Sequence, residues 1–518
     1  MNSKSTSQEN ARPDTAKSHR HDLRAAANAV SSMAMVMGVS AVLLLALKLV
    51  LARLSPVALA GFVTLDLYVK LVASLLLFGG PIVLGNYVAK ASSKDEERVV
   101  IVAHAIPVFA GVALAITVLL AFPQALDYLL GRSLDGALRW CLLALTPIIA
   151  ANRFLACVQF GFNRMKRCAI MENIHVWVAA SACILLLPVW RSAGDRRIFE
   201  GLLIAICAGS VLSLVMVGIP LVRQLRGRIP KFSIPRGFWM FTLSTQLGLV
   251  LLFLWNNLDR LLVLSRFSLA DLGVYEVLLT CFLTTRLLPQ LGLRAVIPSL
   301  SVMVAESRFD AVTAAARGLV RYVSLLVFMP TALFAVFGRQ ILLAFGSTYV
   351  TPQNMNLLAL VLLTPVLTAL GPVVAPLMTS FEKRHYILLN SLGIVCIQLV
   401  LSLMLIRPFG MGGILVAKLV GTLAGQVFPW IYGFRVLPLG VKFPVRLMVV
   451  GEVLVAVSLM ISQFQHGNLW LCLACYTLVV AAYLVLNEFT ITEFRRQAIA
   501  LLNHQTSAEI EPLKEGTV

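Results

Sequence analysis

Charge is scarce in this chain. Asp, Glu, Lys and Arg make up 13% of its 518 residues, roughly half the share of about a quarter found in soluble domains. A string of soluble domains is thereby excluded. No GxxxxGK[ST] segment is present, so the chain holds no ATP-binding loop and no primary pump. Seven histidines are scattered with no HExxH and no paired Cys/His spacing, and neither a metal nor any other cofactor is expected. His104 and His175 fall in apolar segments and read as satisfied packing residues. The polar N-terminus, residues 1–24, lacks the apolar core and small-residue cleavage site of a secretory signal, so the first apolar run is expected to stay in the mature chain. Acids are scarcest of all: 24 against 43 Lys and Arg, a formal charge of +19. In a soluble protein that balance points to nucleic acid. In a membrane protein it follows from the Lys and Arg that cytoplasmic loops collect, and no nucleic-acid partner is expected. Nine cysteines sit mostly inside apolar runs, where they behave as small hydrophobes. Cys472 and Cys475 form a CxxC inside the last run, with no further ligand beside them, and read as packing.

What is there is apolar. Hydrophobic residues make up 59% and the mean hydropathy is +0.88. Runs of about 20 residues recur, each long enough to cross about 30 Å of hydrocarbon. The fold class is an all-α polytopic membrane protein with about 14 transmembrane helices. The predicted spans are 27–52, 59–87, 98–122, 137–160, 169–190, 201–222, 237–258, 272–300, 319–345, 354–380, 386–406, 410–434, 445–463 and 468–487. With the N-terminus inside, internal loops hold "KASSKDEER", "NRMKR", "RQLRGRIPK", "FEKRH" and "FRVLPLGVKFPVR", while "RSAGDRR" is the main cationic exception outside. Both termini are therefore expected to be cytoplasmic. Trp140, Trp190, Trp239, Trp430 and Trp470 fall near span ends, where amphipathic rings favour the interface. The longest loop, "AESRFDAVTAAARG", reads as a short interfacial helix.

A short segment occurs twice. "LVLARLSPVAL" (49–59) and "LVLSRFSLADL" (262–272) share six of eleven positions at an offset of 213 residues. Both follow a span that exits outward and precede one that returns, spans 1–2 and 7–8. Copies with the same sense in the membrane are parallel repeats. The expected organisation is a cytoplasmic tail (1–26), a six-helix bundle (27–225), a second six-helix bundle (237–436), two added helices (445–487) and a cytoplasmic tail (488–518). Transporters so built place substrate between the bundles near the midplane.

Three segments carry a family resemblance. "NNLDRLLVLSRFSLADLGVYEV" (256–277) looks like the Asp-Arg…Leu-Gly-x-Tyr pattern of polysaccharide exporters in the multidrug/oligosaccharidyl-lipid/polysaccharide exporter superfamily. "VIPSLS" (296–301) ends span 8 as it does there, and "LFAVFGRQILLAFGSTY" (333–349) resembles that family's Phe-Gly-x-x-Tyr segment. The resemblance spans about residues 27–436 and rests on diffuse patterns. It implies a Wzx-type flippase for undecaprenyl-diphosphate-linked oligosaccharides, serving O-antigen, capsule or exopolysaccharide biosynthesis in a bacterial inner membrane. The partners it implies are the lipid-linked oligosaccharide, membrane lipids, and a polysaccharide polymerase with its chain-length regulator. The lipid II flippase of peptidoglycan synthesis carries an Arg soon after the span-8 Tyr. Here Tyr275 is followed by "EVLLTCFLTTR", a departure from that pattern.

Charges inside spans are the candidate site. Each costs about 2.5–3.5 kcal/mol on insertion scales and by default faces the bundle interior or a wet cavity. In span 8, Arg286, Gln290 and Arg294 share one helical face. Arg286 is about 21 Å from the outer end near Leu272, too deep for easy snorkelling. It is either a cavity-facing cation or half of a buried ion pair, and Arg294 either joins it or snorkels to lipid phosphates. Asp66 and Lys70 are spaced i, i+4 in span 2, as a mutual salt bridge or as cavity charges. Arg153 in span 4 and Lys418 in span 12 are also deep. Lys48 lies near the outer end of span 1 and is expected to snorkel. Asp259, Arg260 and Arg266 are expected at the outer interface of the span 7–8 turn. The leading reading is that Arg286, Arg153, Lys70, Lys418, Arg294 and Gln290 hold an anionic headgroup such as a diphosphate, whose oxygens match guanidinium forks. The alternative is a cation-coupled multidrug exporter, which needs a deep carboxylate. Asp66 and Glu276 are the candidates for ion coupling, with Glu452 also available. A polymerase or ligase for lipid-linked sugars is disfavoured, because no external loop exceeds about 14 residues. No enzymatic activity is expected.

Overall fold

In a computed structural model, the described residues are 13–488 apart from short stretches (89–90, 92, 131–134, 163, 193, 226–233, 306, 308, 370, 382–383, 437–443, 465–467) and a number of side chains within helices. The chain is all-α, with no strand among the described residues. In order, the helices are α1 (Pro13–Leu54), α2 (Pro56–Leu76), α3 (Gly80–Tyr87), α4 (Lys94–Ala121), α5 (Gln124–Leu130), α6 (Gly136–Gly161), α7 (Met165–Leu185), α8 (Leu187–Trp190) and α9 (Asp195–Ser213). A π-turn, Leu214–Gly218, leads into α10 (Ile219–Leu225). The second half holds α11 (Phe238–Arg266), α12 (Leu269–Ala305), α13 (Phe309–Val336), α14 (Gly338–Phe345), α15 (Pro352–Leu362), α16 (Gly371–Ser380), α17 (Arg384–Val436), α18 (Val445–Phe464) and α19 (Leu469–Leu486).

Eleven helical stretches among the described residues are long and apolar enough to cross a membrane. The expected fourteen crossings map onto them once three features are considered. α12, of 37 residues, is one further crossing, and α15 with α16 makes a second that is broken midway. α17 is two arms joined at Gly410, whose φ of 56° and ψ of −134° are non-helical. Glycines seat one arm against the other: a Cβ on Gly413 would meet the Leu405 carbonyl, one on Gly421 would meet Gln398, and one on Gly425 would meet Ile394. That pairing runs antiparallel, as small-residue close packing between membrane helices allows. The expected interfacial helix after span 8 is absorbed into the start of α13, which begins at Phe309.

The repeated segment has a local cause. Ser55 is the N-cap of α2, its Oγ accepting from Ala58 N at 2.9 Å. Ser268 does the same for α12, accepting from Asp271 N at 3.2 Å while Asp271 accepts from Ser268 N at 3.1 Å. Each Ser thus satisfies an amide left free at a helix start, and the second copy completes a reciprocal box. The two turns touch. A Cβ on Gly273 would sit 2.1 Å from the Pro56 carbonyl oxygen, so only glycine permits this approach. From there α2 runs along α12, with α1 against α12 and α11 against α2. Elsewhere α7 packs on α1 and α9, and α17 on α11. One large apolar core, including Leu51, Leu59, Leu272 and Tyr275, draws on both ends of the repeat.

Two spans are interrupted. Between α2 and α3, "FGGP" takes positive φ at Phe78 (45°) and Gly79 (76°). Between α15 and α16, "LTPVLTALGP" brings Pro365 and Pro372, which remove amide donors and stop the helix. Freed backbone groups inside a membrane must find partners in the protein.

Candidate functional site

Five ionisable side chains from four helices form one buried network beside the repeat turns. Glu276 of α12 accepts from Lys48 Nζ of α1 at 2.6 Å. Arg260 of α11 donates to it twice, Nε to Oε2 at 2.8 Å and Nη2 to Oε1 at 3.1 Å. Asp259 accepts from the Tyr275 hydroxyl at 2.7 Å and from Lys418 Nζ of α17 at 2.8 Å. Further donors reach neutral acceptors: Lys48 reaches Thr280 Oγ1 at 3.2 Å, Arg260 Nη1 reaches Asn257 Oδ1 at 3.0 Å, and Lys418 reaches the Asn256 carbonyl at 3.1 Å. Three cations face two carboxylates, so the network is cationic overall.

This differs from the sequence expectation at three residues. Lys48 does not snorkel; it is 7% exposed and turned onto Glu276, because a carboxylate in contact outcompetes a distant interface. Asp259 and Arg260 are 0% and 7% exposed rather than interfacial. The cause is a boundary: α11 runs on to Arg266, eight residues past the expected end of span 7, which carries Asp259 about 10 Å inside the helix end.

Arg286 stands apart from that network. It lies on α12 about 15 Å beyond Glu276 along the helix and is 9% exposed. Nη2 donates to the Thr368 carbonyl at a long 3.4 Å, Nε has no partner, and the guanidinium lies 5.5 Å from the Phe282 ring centroid. No carboxylate pairs with it among the described residues. Thr368 belongs to the break between α15 and α16. One residue away, Leu367 N donates to Glu452 Oε1 of α18 at 3.1 Å. Glu452 is half-buried and likewise has no cationic partner among the described residues. The break is therefore held by a cation from one neighbour and a carboxylate from another.

The first-half charges form a third place. Lys70 Nζ donates to Asp66 Oδ2 at 2.5 Å, the two side chains being 45% and 21% exposed. Arg153 is half-buried and makes no ion pair or hydrogen bond among the described residues. His175, buried on α7, lies within electrostatic reach of Arg153, Asp66 and Lys70. Neighbouring Asn152 ties three helices, donating to the Met171 carbonyl at 3.1 Å and accepting from Ser213 Oγ at 2.7 Å. The predicted substrate cations thus fall in three places: Lys70 with Arg153, Lys418 in the network, and Arg286 at the break. The side chains of Gln290 and Arg294 lie outside the described residues. Of the two candidate coupling acids, Glu276 is doubly ion-paired and Asp66 singly.

Sequence reasoning did not assign Lys48 and Arg260 to sites and named Glu452 only as a further available acid, and it did not single out Gln246. Gln246 of α11 holds the first break, accepting from Gly79 N at 3.0 Å and donating to the Ser74 and Leu75 carbonyls at 2.9 Å. His104 Nε2 donates to the Leu77 carbonyl at 2.9 Å. The signal available for both breaks was a polar residue alone in an apolar run, as in "VVGEVLV" around Glu452.

By sequence the chain matches no protein-family model and no curated protein. By structure it is similar to a lipid II flippase, MurJ, in an inward closed conformation, with TM-score 0.62 and 14% identity over 90% of this chain and 99% of that one. It is also similar to a multidrug resistance MATE family transporter of the MOP superfamily. The inward-facing conformation gives TM-score 0.59 and 15% identity over 79% of this chain and 97% of that one. The outward-facing conformation gives 0.57 and 13% over 80% and 95%. At such identities the likeness shows a shared fold.

Proposed function

We propose that the chain is a flippase that moves an undecaprenyl-diphosphate-linked oligosaccharide across a bacterial inner membrane, with both termini cytoplasmic, for O-antigen, capsule or exopolysaccharide synthesis. The observation that carries this reading is Arg286, a buried guanidinium with one long backbone hydrogen bond and, among the described residues, no counter-charge. A charge left so is costly in a membrane, and a diphosphate would repay it through charge-assisted, bidentate hydrogen bonds. Arg153, with no ion pair among the described residues, and half-exposed Lys70, paired with Asp66, add cations from the first half. By their i+4 and i+8 spacing in the sequence, Gln290 and Arg294 are proposed to join Arg286. A headgroup held between the two six-helix bundles would pass from one side to the other as the helices around α2 and α12 rock, while the lipid tail stays in the bilayer. The work is transport and not bond chemistry. A polymerase and a chain-length regulator would act on the delivered unit.

The experiment is deletion of the gene followed by leaflet analysis of lipid-linked sugars, with complementation by Arg286→Ala. Accumulation on the cytoplasmic face, not relieved by Arg286→Ala, is expected. Unpolymerised units reaching the outer face would overturn the flippase reading in favour of a polymerase or ligase.

A second reading, a cation-coupled multidrug exporter, draws support from the shared fold with a multidrug transporter. It needs an available carboxylate; Asp66 and Glu276 are both engaged by cations, which leaves Glu452 as the acid it would use. Resistance to cationic dyes conferred by expression would favour it over the first.

A further inference from the structure

We infer that Glu452 is a proton-binding site that drives the conformational change, and that the break between α15 and α16 carries its signal to Arg286. The inference rests on the transport reading but not on any particular substrate. Glu452 sits on α18, one of the two helices beyond the repeat, about 10 Å along the helix from Val445. Acids at such depth are rare and mark ion pathways or relays. What distinguishes Glu452 from Asp66 and Glu276 is its company. Its one hydrogen bond comes from a backbone amide, Leu367 N, and no Lys, Arg or His neutralises it among the described residues.

The surrounding elements leave the carboxylate free to titrate. α18 packs against α13 and α19. The cations nearest on these elements, Arg321 of α13 and Arg446 of α18 itself, are tied to Glu488 and the end of α19: Arg446 Nη1 meets Glu488 Oε1 at 2.8 Å, Arg446 Nη2 meets the Leu486 carbonyl at 2.7 Å, and Arg321 donates to the Glu488 carbonyl. Arg317 lies a further turn along α13 toward its start. At the level of Gly451 the neighbours are Val366, Phe328 and Tyr483 of α19, of which only the phenol titrates, far above neutrality. Across the break stands Arg286, on the carbonyl of Thr368. Asp66, Glu276 and Asp259 lack this freedom, since each already answers one or more cations.

The proton step is simple. With Glu452 ionised, Oε1 accepts from Leu367 N–H in a charge-assisted bond that pins the interrupted segment. A proton taken from one side of the membrane binds a carboxylate oxygen, removes the negative charge and weakens that bond. The freed segment, held otherwise by short turn bonds such as Thr368 N to the Thr364 carbonyl and Ala369 N to the Val366 carbonyl, rearranges, and the Thr368 carbonyl withdraws from Arg286. Release of the proton to the other side restores the pinned state. Two interactions one residue apart thus link proton occupancy to the availability of a guanidinium.

The test uses the full chain in lipid nanodiscs without substrate, acidified from about pH 9 to about pH 6, the range in which desolvated carboxyls titrate. Infrared difference spectra are expected to show a protonated-carboxyl band in the wild type that is lost in Glu452→Gln and kept in Asp66→Asn. Hydrogen exchange of the peptide containing Leu367, corrected for the intrinsic effect of pH, is expected to rise severalfold on acidification. In Glu452→Gln it is expected to be high throughout, and in Glu452→Asp, which keeps the titrating group if the Gln variant does not fold, it should respond to pH again. A band that persists in Glu452→Gln, or exchange at the break that ignores pH in the wild type, overturns the inference. Failure of the substrate reading shows separately, in the leaflet analysis, and leaves these two readouts unchanged.

Discussion

Two regions hold ionisable side chains deep among the helices, and they are built on opposite rules. In the network of Lys48, Asp259, Arg260, Glu276 and Lys418, every charge touches a counter-charge and the spare donors reach neutral acceptors. At the break between α15 and α16, Arg286 and Glu452 are each hydrogen-bonded only to a backbone atom among the described residues. Paired buried charges fix which helices stand together and cannot be removed singly without stranding a partner. On the readings proposed above, unneutralised ones exchange a backbone contact for a proton or an anion. The break between α2 and α3 provides an internal control, because the Gln246 amide and the His104 ring satisfy it with no carboxylate or guanidinium among its partners.

Mutations that take away one rule at a time should separate the two regions. The largest effect on stability is expected for Glu276→Gln, which strands Lys48 and Arg260. Breaking a buried pair costs about 3–5 kcal/mol, so the thermal unfolding midpoint in detergent should fall sharply. A midpoint unchanged by this substitution would erase the distinction. Arg286→Ala should do the reverse, lowering flipping in a proteoliposome assay about 10–100-fold, the equivalent of about 1.5–3 kcal/mol for a hydrogen bond to a charged group. Its unfolding midpoint should hold or rise, since a charge with no counter-charge among the described residues is removed. Gln246→Ala leaves the Gly79 amide and two carbonyls unsatisfied and should cost about 1–3 kcal/mol, equally at acid and alkaline pH. Asp66→Asn, acting on a pair whose Lys70 is 45% exposed, should change stability by no more than about 1 kcal/mol.

The all-α, many-span architecture was legible because about 20 apolar residues per crossing is a strong signal. The repeat was legible as a likeness of residues, and its physical content, a serine cap on each returning helix, came from geometry that the likeness alone does not express. Helix ends were the weak point. An error of eight residues at the end of α11 moved Asp259 and Arg260 from the interior to an assumed interface, and Lys48 followed the same assumption. Arg286 was found as a deep cation by counting residues from a span end, which depends on helical rise and little else. That its neighbour across the break would be Glu452 was beyond periodicity, since α12, α18 and the segment near Leu367 meet only in three dimensions.

The approach of Gly273 to the Pro56 carbonyl has a mechanical meaning. The two repeat turns abut, so any movement that separates α2 from α12 there must begin by parting these two backbones. A side chain at position 273 would act as a wedge between them. The glycine is in effect a latch plate between the two repeats, and the choice of the smallest residue sets how closely they can seat.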